Sequence, residues 1–449
     1  MVDRDQRGEQ GRLIGADLAA RGVRTVALTW VDNAGVTRVK AVPVTRFGHA
    51  AAWGVGMSPV FDVFLVDDSI TTSRFVGGPA GDLRLYPDLD RVAVLAAQPG
   101  WAWAPVDRWT QDGAPYACCQ RTLTRTAVDH AAAQGLTLRM AFEVEWFLGT
   151  EDATPACTGP AYGMTRIVEL SGYVDDLMAA LEAQEVPVDQ FHPEYAPGQL
   201  ELSVAAADPV LAADRTVLVR QTIQAVSRAH GYRASFAPVV VAGQVGNGQH
   251  LHFSAHAGEQ PLFSGGDGPH GLTAAGEALL AGLLDRLPAL TAISAPGPAS
   301  LLRLVPQHWA APYQCWGLEN REAALRLVTG SAGERERAAN AELKCCDGAA
   351  NPYLVVGAVT AIAAASFQTE KQLPPEVPGD PALLPEADQP PRLPRSADEA
   401  MAALRADDVL PALLGEPLLE AFCAVRRAEA ERFASATPDA IAEATRWRY

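Results

Sequence analysis

The stretch LTLRMAFEVEWFL at residues 136–148 alternates apolar and polar side chains, and this alternation decides how the surrounding chain folds. Side chains on a β-strand point by turns to the two faces of its sheet. Leu136 and Val144 therefore face one way, and Glu143 and Glu145 lie two residues apart on the other face. A solvated strand face would show the same pattern, so this strand by itself identifies no site.

Three further segments repeat the pattern, and each alone is compatible with an ordinary half-exposed strand. If all four strands pair in one sheet, five carboxylates and two imidazoles share one region, and their negative charges repel unless cations lie among them. The segments are GQLELSV (198–204), GQHLHFSAH (248–256) and NAELKC (340–345). Their polar residues, with Glu194 in the loop before the first segment, include Glu201, His250, His252, Ser254, Glu342 and Lys344.

The proposed ligands are mostly carboxylates, which suit Mg²⁺ or Mn²⁺ better than Zn²⁺. Arg321 and Arg326 in ENREAALRLV (319–328) would add positive charge. Two divalent ions beside arginines indicate phosphoryl transfer, because both neutralise phosphate charge. Surface arginines are the competing interpretation. No Walker A motif occurs, and the Gly-rich AGQVGNG (242–248) is weak support for nucleotide binding.

Composition excludes several classes of partner. The 449 residues carry a formal charge of −17, which disfavours nucleic acid and anionic membranes. The N-terminal MVDRDQRGEQGRL has no apolar core, and the longest apolar run (354–367) is too short to span a bilayer. Seven cysteines without regular spacing favour reduced thiols. We therefore expect a cytoplasmic protein.

The order of patterns predicts two domains. Residues 24–44 read as a hairpin, and VFDVFLVDD (60–68) carries a further strand signal. A small β domain is expected over 1–108 and a mixed domain over 109–449. Within the second domain, the Pro-rich segment 373–395 is expected to be loop and the tail to be helical.

The motifs together resemble glutamine synthetase of the bacterial type, and more closely its amine-using relatives, the γ-glutamylamide synthetases. They occur in family order along essentially the whole chain. The resemblance implies an α+β fold, with a β-grasp N-terminal domain and a catalytic domain whose antiparallel half-barrel sheet is flanked by helices. It also implies a homo-oligomeric ring, a dodecamer, with active sites between neighbouring subunits. The matching segments are FEVEWFL, HPEYAPGQLEL, GNGQHLHFS, RLVP, NREAALRLV and ELKCCDGAANPYL.

The resemblance assigns a role to each matching residue. One divalent ion would be held by Glu145, Glu194 and Glu201, and the second by Glu143, His250 and Glu342. The ATP site would comprise His252, Ser254, Arg321 and Arg326. The glutamate site would comprise Arg303, Gly246 and Lys344, with Lys344 standing where the family usually has an arginine.

Departures from the family pattern concern the amine. The family's N-terminal Asp-Gly-Ser-Ser segment, which helps to bind ammonium, is missing, and Asp62 is the candidate substitute, whereas Asp82 matches the later acidic residue of that region. The flap after RLVP reads QHWAAP, with Trp309 in the slot of the family's glutamate. An alkylammonium must lose a proton before it attacks, and His308 is a candidate base. Val245 replaces a family asparagine beside Gly246.

We therefore predict an ATP-dependent ligase that activates glutamate as γ-glutamyl phosphate and condenses it with a small primary amine. The candidate amines are ethanolamine, another alkylamine or a polyamine. Of these, ethanolamine or a similarly short amine is favoured, because a longer polyamine should require carboxylates at its far end that the sequence does not show clearly. The alternatives are a true ammonia-dependent glutamine synthetase, a non-catalytic regulatory homologue, and a ligase for an acceptor other than glutamate.

Overall fold

The predicted hairpin forms one edge of the first sheet in the computed structural model, which describes residues 3–449. Strand β1 (Thr25–Val31) pairs antiparallel with β2 (Thr37–Pro43). The turn between them forms because the Asp32 carboxylate accepts the backbone N–H groups of Ala34 and Val36 at 2.9 and 3.0 Å. An aspartate that bonds to the backbone ahead of it is typical of such turns.

The first sheet has the order β2-β1-β6-β4-β3, with β5 on β6, and two helices accompany it. The remaining strands are β3 (Val55–Met57), β4 (Leu83–Pro87), β5 (Ala93–Val94) and β6 (Trp101–Thr110), and the helices are α1 (Arg4–Ala20) and α2 (Phe47–Trp53).

Two expectations for this region were wrong or incomplete. VFDVFLVDD is not a strand, since Pro59–Val63 form a 3-10 turn and irregular chain follows it. Helix α1 was not predicted, because its sequence is polar on nearly every side. Glycines let it approach α2 closely, and a Cβ on Gly11 would lie 2.5 Å from the Cβ of Ala51.

The second sheet carries the four predicted strands and curls into a half-barrel. Its order is β13-β14-β15-β11-β7-β9-β8, with β10 on β7 and β12 on β11. All neighbours are antiparallel except β13 and β14. The strands are β7 (Leu136–Gly149), β8 (Val188–Pro193), β9 (Gln199–Val204), β10 (Arg233–Ser235), β11 (Leu251–Ala257), β12 (Gln260–Pro261), β13 (Trp316–Leu318), β14 (Leu325–Val328) and β15 (Asn340–Leu343).

Helices cover the apolar side of this sheet. The apolar run 354–367 lies almost entirely in helix α10, whose side chains are nearly all buried, and the tail is helical as expected. None of the helices in residues 3–449 is long and apolar enough to cross a membrane. The helices are α3 (Gln120–Ala133), α4 (Met164–Glu169), α5 (Ser171–Ala183), α6 (Pro209–Ala229), α7 (Ala274–Ser294), α8 (Ser300–Arg303), α9 (Arg335–Ala338), α10 (Pro352–Ser366), α11 (Ala397–Ala406), α12 (Leu410–Phe433) and α13 (Pro438–Thr445).

Candidate active site

A cavity of about 500 Å³ opens over the polar side chains of the second sheet. Strand register explains why these side chains meet. Glu145 on β7 lies directly opposite Glu201 on β9, and His192 on β8 lies opposite Glu201 from the other side. Opposed residues of antiparallel strands have Cβ atoms about 5 Å apart. Three polar side chains thus form one row across three strands.

A second row crosses the other half of the sheet. Glu342 on β15 is opposite His252 on β11 and also opposite Arg326 on β14. His250 precedes β11, and its carbonyl accepts the N–H of Glu143 at 2.9 Å. The pairing of β7 with β11 therefore places Glu143 between the two rows.

Along these rows, two groups of ligand atoms are each close enough to share a metal ion. In the first, His192 Nε2 lies 2.9 Å from Glu194 Oε1 and 3.6 Å from Glu201 Oε1. Tyr162 donates its hydroxyl to Glu194 Oε2 at 2.8 Å. The atoms of His192, Glu194 and Glu201 all lie within 4.8 Å of one another.

In the second group, the ligand atoms of Glu143, His252 and Glu342 also all lie within 4.8 Å of one another. His250 Nδ1 lies 3.4 Å from Glu143 Oε2 and 3.3 Å from Glu342 Oε1, and its Nε2 lies 3.8 Å from Glu145 Oε1. All six predicted metal ligands therefore meet in one region, and His250 touches carboxylates of both predicted sets.

The electrostatics fit a site for divalent cations. Burial, together with Glu143, Glu145 and Glu194, raises the pKa of Glu201 to about 10. Burial would likewise raise the pKa of Glu143, but hydrogen bonds from His250 and His252 lower it well below its usual range. The carboxylates of Glu143, Glu145 and Glu194 oppose the ionisation of Glu201, and a divalent ion would relieve that repulsion.

The Gly-rich loop before β11 must approach these carboxylates with bare backbone. Gly248 donates its N–H to Glu145 Oε2 at 2.9 Å. A Cβ at this position would lie 2.4 Å from His250 Nε2 and 2.9 Å from Glu145 Oε1. Gly246 is fixed by Gln199, which donates to its carbonyl at 2.9 Å. A side chain at Gly248 would enter the ligand cluster.

Four cationic side chains line the same cavity: Arg303, Arg321, Arg326 and Lys344. Arg303 is 4% exposed, and its Nη1 has no hydrogen-bond partner among residues 3–449. Its Nη2 lies 3.0 Å from His250 Nε2. Arg326 and Lys344 both donate to Glu342, at 3.0 and 3.1 Å. The free guanidinium N–H of Arg303 is suited to an incoming carboxylate.

The loop after Arg303 reaches over the cavity. Gln307, Trp309 and Ala311 have φ angles of 63°, 54° and 55°, in the left-handed region that non-glycine residues seldom adopt. Trp309 is 42% exposed, and its ring packs on Tyr195 with centroids 5.1 Å apart. His308 also lines the cavity.

A second cavity of about 330 Å³ adjoins the first and shares Glu143 and Gln190 with it. Its lining includes His252 and Ser254, both assigned to ATP from sequence. Arg321 and Arg326 lie in the first cavity, so the four predicted ATP residues are distributed over the two adjoining spaces.

Asp62 and Asp82 lie outside both cavities. Asp62 is 0% exposed, and its carboxylate accepts from Arg108 at 2.6 Å. The expectation that Asp62 binds or deprotonates the amine was wrong, because its carboxylate is enclosed by its own chain. Asp82 is exposed, so an approach to a neighbouring subunit's site stays a prediction.

The sequence did not identify His192, Tyr162, Tyr195 or Glu322 as part of the site. His192 carried a usable signal, since it precedes Glu194 by two residues and so shares its face. Tyr162 lines the cavity, whereas Tyr195 and Glu322 contact Trp309 from segments distant in the sequence. Glu322, for example, accepts the N–H of Trp309 at 2.9 Å.

The protein-family model for the glutamine synthetase catalytic domain matches residues 117–444 of this chain. The chain belongs to the glutamine synthetase family. The match begins ahead of α3 and ends at α13, so it includes the whole second sheet. Family membership confirms the fold class predicted from the motifs.

Similar proteins include ligases that use amines. A γ-glutamylpolyamine synthetase, GlnA3, from Streptomyces coelicolor is 53% identical over 98% of this chain and 97% of its own. A γ-glutamylanilide synthase from an Acinetobacter species is 25% identical over 96% of this chain and 92% of its own. The crystal structure of a novel glutamine synthase homolog has a TM-score of 0.86 at 32% identity, and it matches 95% of this chain and 99% of its own. The structure of GmaS in complex with ADP has a TM-score of 0.83 at 25% identity, and it matches 94% of this chain and 96% of its own.

These relatives confirm the predicted reaction class. The protein is an ATP-dependent ligase that joins glutamate to an amine, and the family uses divalent metal ions. The alternative of a non-catalytic homologue is thereby set aside.

Proposed function

We propose that this protein joins the γ-carboxylate of glutamate to one end of a polyamine. The observation that favours a polyamine is the set of side chains around Trp309. Its indole lies against Tyr195 at the cavity, and two carboxylates outside the proposed metal sets accompany the loop: Glu322 bonds to the Trp309 N–H, and Asp380 accepts from Gln307 Nε2 at 3.3 Å.

A polyamine matches that setting chemically. Its ammonium groups gain from carboxylates and aromatic faces, and a cation–π contact contributes about 0.5–2 kcal/mol. Its methylenes also gain from apolar ring surface, a hydrophobic contribution that NH₄⁺ lacks because it has no carbon. The similarity to the Streptomyces coelicolor γ-glutamylpolyamine synthetase supports the same conclusion. The proposal replaces the short amine expected from sequence, because Asp380, beside Gln307 in the loop, is a carboxylate outside the proposed metal sets.

The proposed reaction has two steps. ATP transfers its γ-phosphoryl group to the γ-carboxylate of glutamate, and the amine nitrogen then attacks the acyl carbon and displaces phosphate. Arg321 and Arg326 would face phosphate oxygens, and the free N–H of Arg303 would bind the glutamate α-carboxylate. Gly246 and Lys344 would complete the glutamate site. His308, in the cavity beside Trp309, would accept the proton that the ammonium loses.

Divalent ions would supply neutralising charge in both steps. We propose Mg²⁺ or Mn²⁺, two or more per site, because most candidate ligands are carboxylates. Glu145, Glu194 and Glu201 would hold one ion, and Glu143, His250 and Glu342 another. The ligand atoms of Glu194 and Glu201 lie in one compact group and those of Glu143 and Glu342 in another, which supports this grouping.

Assembly and location belong to the same proposal. We propose a cytoplasmic ring, a dodecamer, in which Asp82 of one subunit faces the cavity of the next. Light scattering on a size-exclusion column measures the ring, and a mass of one or two chains would contradict it. The Asp82→Ala variant would then raise the KM for the amine without changing assembly.

A matched amine panel tests the substrate. Phosphate release is measured with ammonium, ethanolamine, butylamine, 1,4-diaminobutane and spermidine at saturating ATP and glutamate, and mass spectrometry identifies each amide. Butylamine and 1,4-diaminobutane share a chain and differ in the second ammonium group. We expect kcat/KM to be at least tenfold higher for 1,4-diaminobutane or spermidine than for butylamine. Ammonium outperforming every amine would contradict the proposal.

A further inference from the structure

A half-buried carboxylate behind the Trp309 loop, that of Glu322, has no part in the proposed metal sets. Glu322 Oε1 accepts the backbone N–H of Trp309 at 2.9 Å. Its other oxygen, Oε2, is buried and has no hydrogen-bond partner among residues 3–449. A buried carboxylate oxygen without a hydrogen-bond partner costs free energy, so its presence in a folded protein calls for a structural or functional reason. The question is what this contact achieves.

The backbone that Glu322 contacts is in a conformation that the loop would not adopt unaided. Gln307, Trp309 and Ala311 all have left-handed φ angles, and none of them is a glycine. Residues in such regions persist only where surrounding structure holds them, and they cluster at functional sites. The Trp309 N–H lies in the middle of this strained segment, so its acceptor is well placed to hold the segment.

Glu322 is itself firmly placed. Its own N–H donates to Asn320 Oδ1 at 3.0 Å. Asn320 Nδ2 in turn donates to the carbonyls of Val377 and Gly379, at 2.6 and 2.8 Å. The Pro-rich segment thus anchors Asn320, and Asn320 orients the residue that bonds to the loop. A fixed acceptor can impose a conformation on a strained partner.

We propose that Glu322 is a positioning residue for the amine site. By accepting the Trp309 N–H, it holds the indole against Tyr195 and so fixes one wall of the space that the amine occupies. The inference rests on the proposed function, because it concerns the amine of the same reaction. It predicts that Glu322 influences amine selectivity and leaves the glutamate and ATP sites unaffected.

The separation of those sites follows from the contacts. Arg303 precedes the strained segment and is held by His250, at 3.0 Å, independently of Glu322. Lys344 and Arg326 are held by Glu342. Loss of the Glu322 contact therefore frees the loop tip and leaves the strands of the sheet as they are.

The experiment compares Glu322→Ala, which removes the acceptor, with Glu322→Gln, which keeps an Oε1 acceptor. KM is measured separately for 1,4-diaminobutane, glutamate and ATP, and ammonium is assayed alongside. We expect Glu322→Ala to raise the KM for the diamine at least tenfold, to leave the other two KM values within twofold, and to lower the preference for diamine over ammonium. Glu322→Gln should restore the diamine KM to within threefold of the wild type.

Control variants separate positioning from general damage. Glu336→Ala, on the exposed face of α9, should behave as the wild type. If Glu322→Ala does not fold, Glu322→Asp takes its place, because a shorter side chain retracts the carboxylate from the Trp309 N–H. An unchanged diamine KM, a parallel rise of all three KM values, or no rescue by glutamine would overturn the inference. A wild type that prefers ammonium would instead contradict the proposed function.

Discussion

Trp309 and Tyr195 pack against each other from two segments that are more than one hundred residues apart, with ring centroids at 5.1 Å and ring planes inclined by 53°. Tyr195 follows Glu194, and its N–H donates to Glu194 Oε2 at 3.0 Å. The contact therefore links the loop after Arg303 to a residue beside a candidate metal ligand. It places an aromatic wall where the amine would meet the activated glutamate.

Replacing that wall should affect the amine selectively. We expect Trp309→Ala to lower kcat/KM for 1,4-diaminobutane roughly 2- to 30-fold, the range that corresponds to about 0.5–2 kcal/mol of cation–π contact. The KM values for glutamate and ATP should change little. Trp309→Phe, which keeps a ring, should retain most of the activity. Equal losses for amine and glutamate would show that the loop serves the whole site.

The crowded carboxylates predict a stability response to divalent ions. Glu201 lies opposite Glu145, and its neighbours oppose its ionisation. Adding Mg²⁺ or Mn²⁺ should raise the melting temperature of the wild type, because a ligand that binds the folded state stabilises it. Glu201→Gln should keep its melting temperature without ions and lose most of the rise. Differential scanning calorimetry measures both, and an undiminished rise in the variant would remove Glu201 from the metal site.

Asp62 should matter for stability and not for turnover. Asp62→Ala leaves the guanidinium of Arg108, which is 1% exposed, without its carboxylate. Breaking a buried ion pair by removing one partner costs about 3–5 kcal/mol. We expect that loss in the free energy of unfolding by urea, with the KM for the amine unchanged in the folded enzyme. The exposed Asp82→Ala should change stability by less than about 0.5 kcal/mol. A raised amine KM in Asp62→Ala would return Asp62 to the site.

A buried aspartate behind the site predicts a pH dependence of stability. Burial, opposed by Arg303, raises the pKa of Asp347 to about 6 from 3.8. A carboxyl group whose pKa is higher in the folded state favours folding at low pH, and this contribution disappears as the pH rises from about 4 to about 6. In the Asp347→Asn variant, the side chain at this position has no carboxyl group to ionise. Its stability relative to the wild type should therefore increase over this range, by at most about 3 kcal/mol.

Urea unfolding at several pH values between about 4 and 7 measures that difference. Asp439→Asn, at an exposed position on α13, should give a difference that does not vary with pH. A flat difference for Asp347→Asn as well would show that Asp347 titrates in the folded protein as it does in the unfolded chain.

Much of the site could be predicted from local patterns, because alternation along a strand is a property of neighbouring residues. Glu143 with Glu145, and His250 with His252, were each assigned to one face from spacing alone, and their strands β7 and β11 do pair in one sheet with β9 and β15. Their roles as ligands stay predictions. Strand signals failed at VFDVFLVDD, because apolar content without regular pairing partners does not make a strand.

The sequence by itself determined the order of the motifs, the polar faces of the strands and the unusual loop with Trp309. Tertiary structure alone decided what surrounds them. It buried Asp62 against Arg108, brought Tyr195 to Trp309, and set Glu322 beneath the loop. The physical reason is that side-chain alternation depends on adjacent residues, whereas burial and contact between distant segments depend on how the whole chain packs.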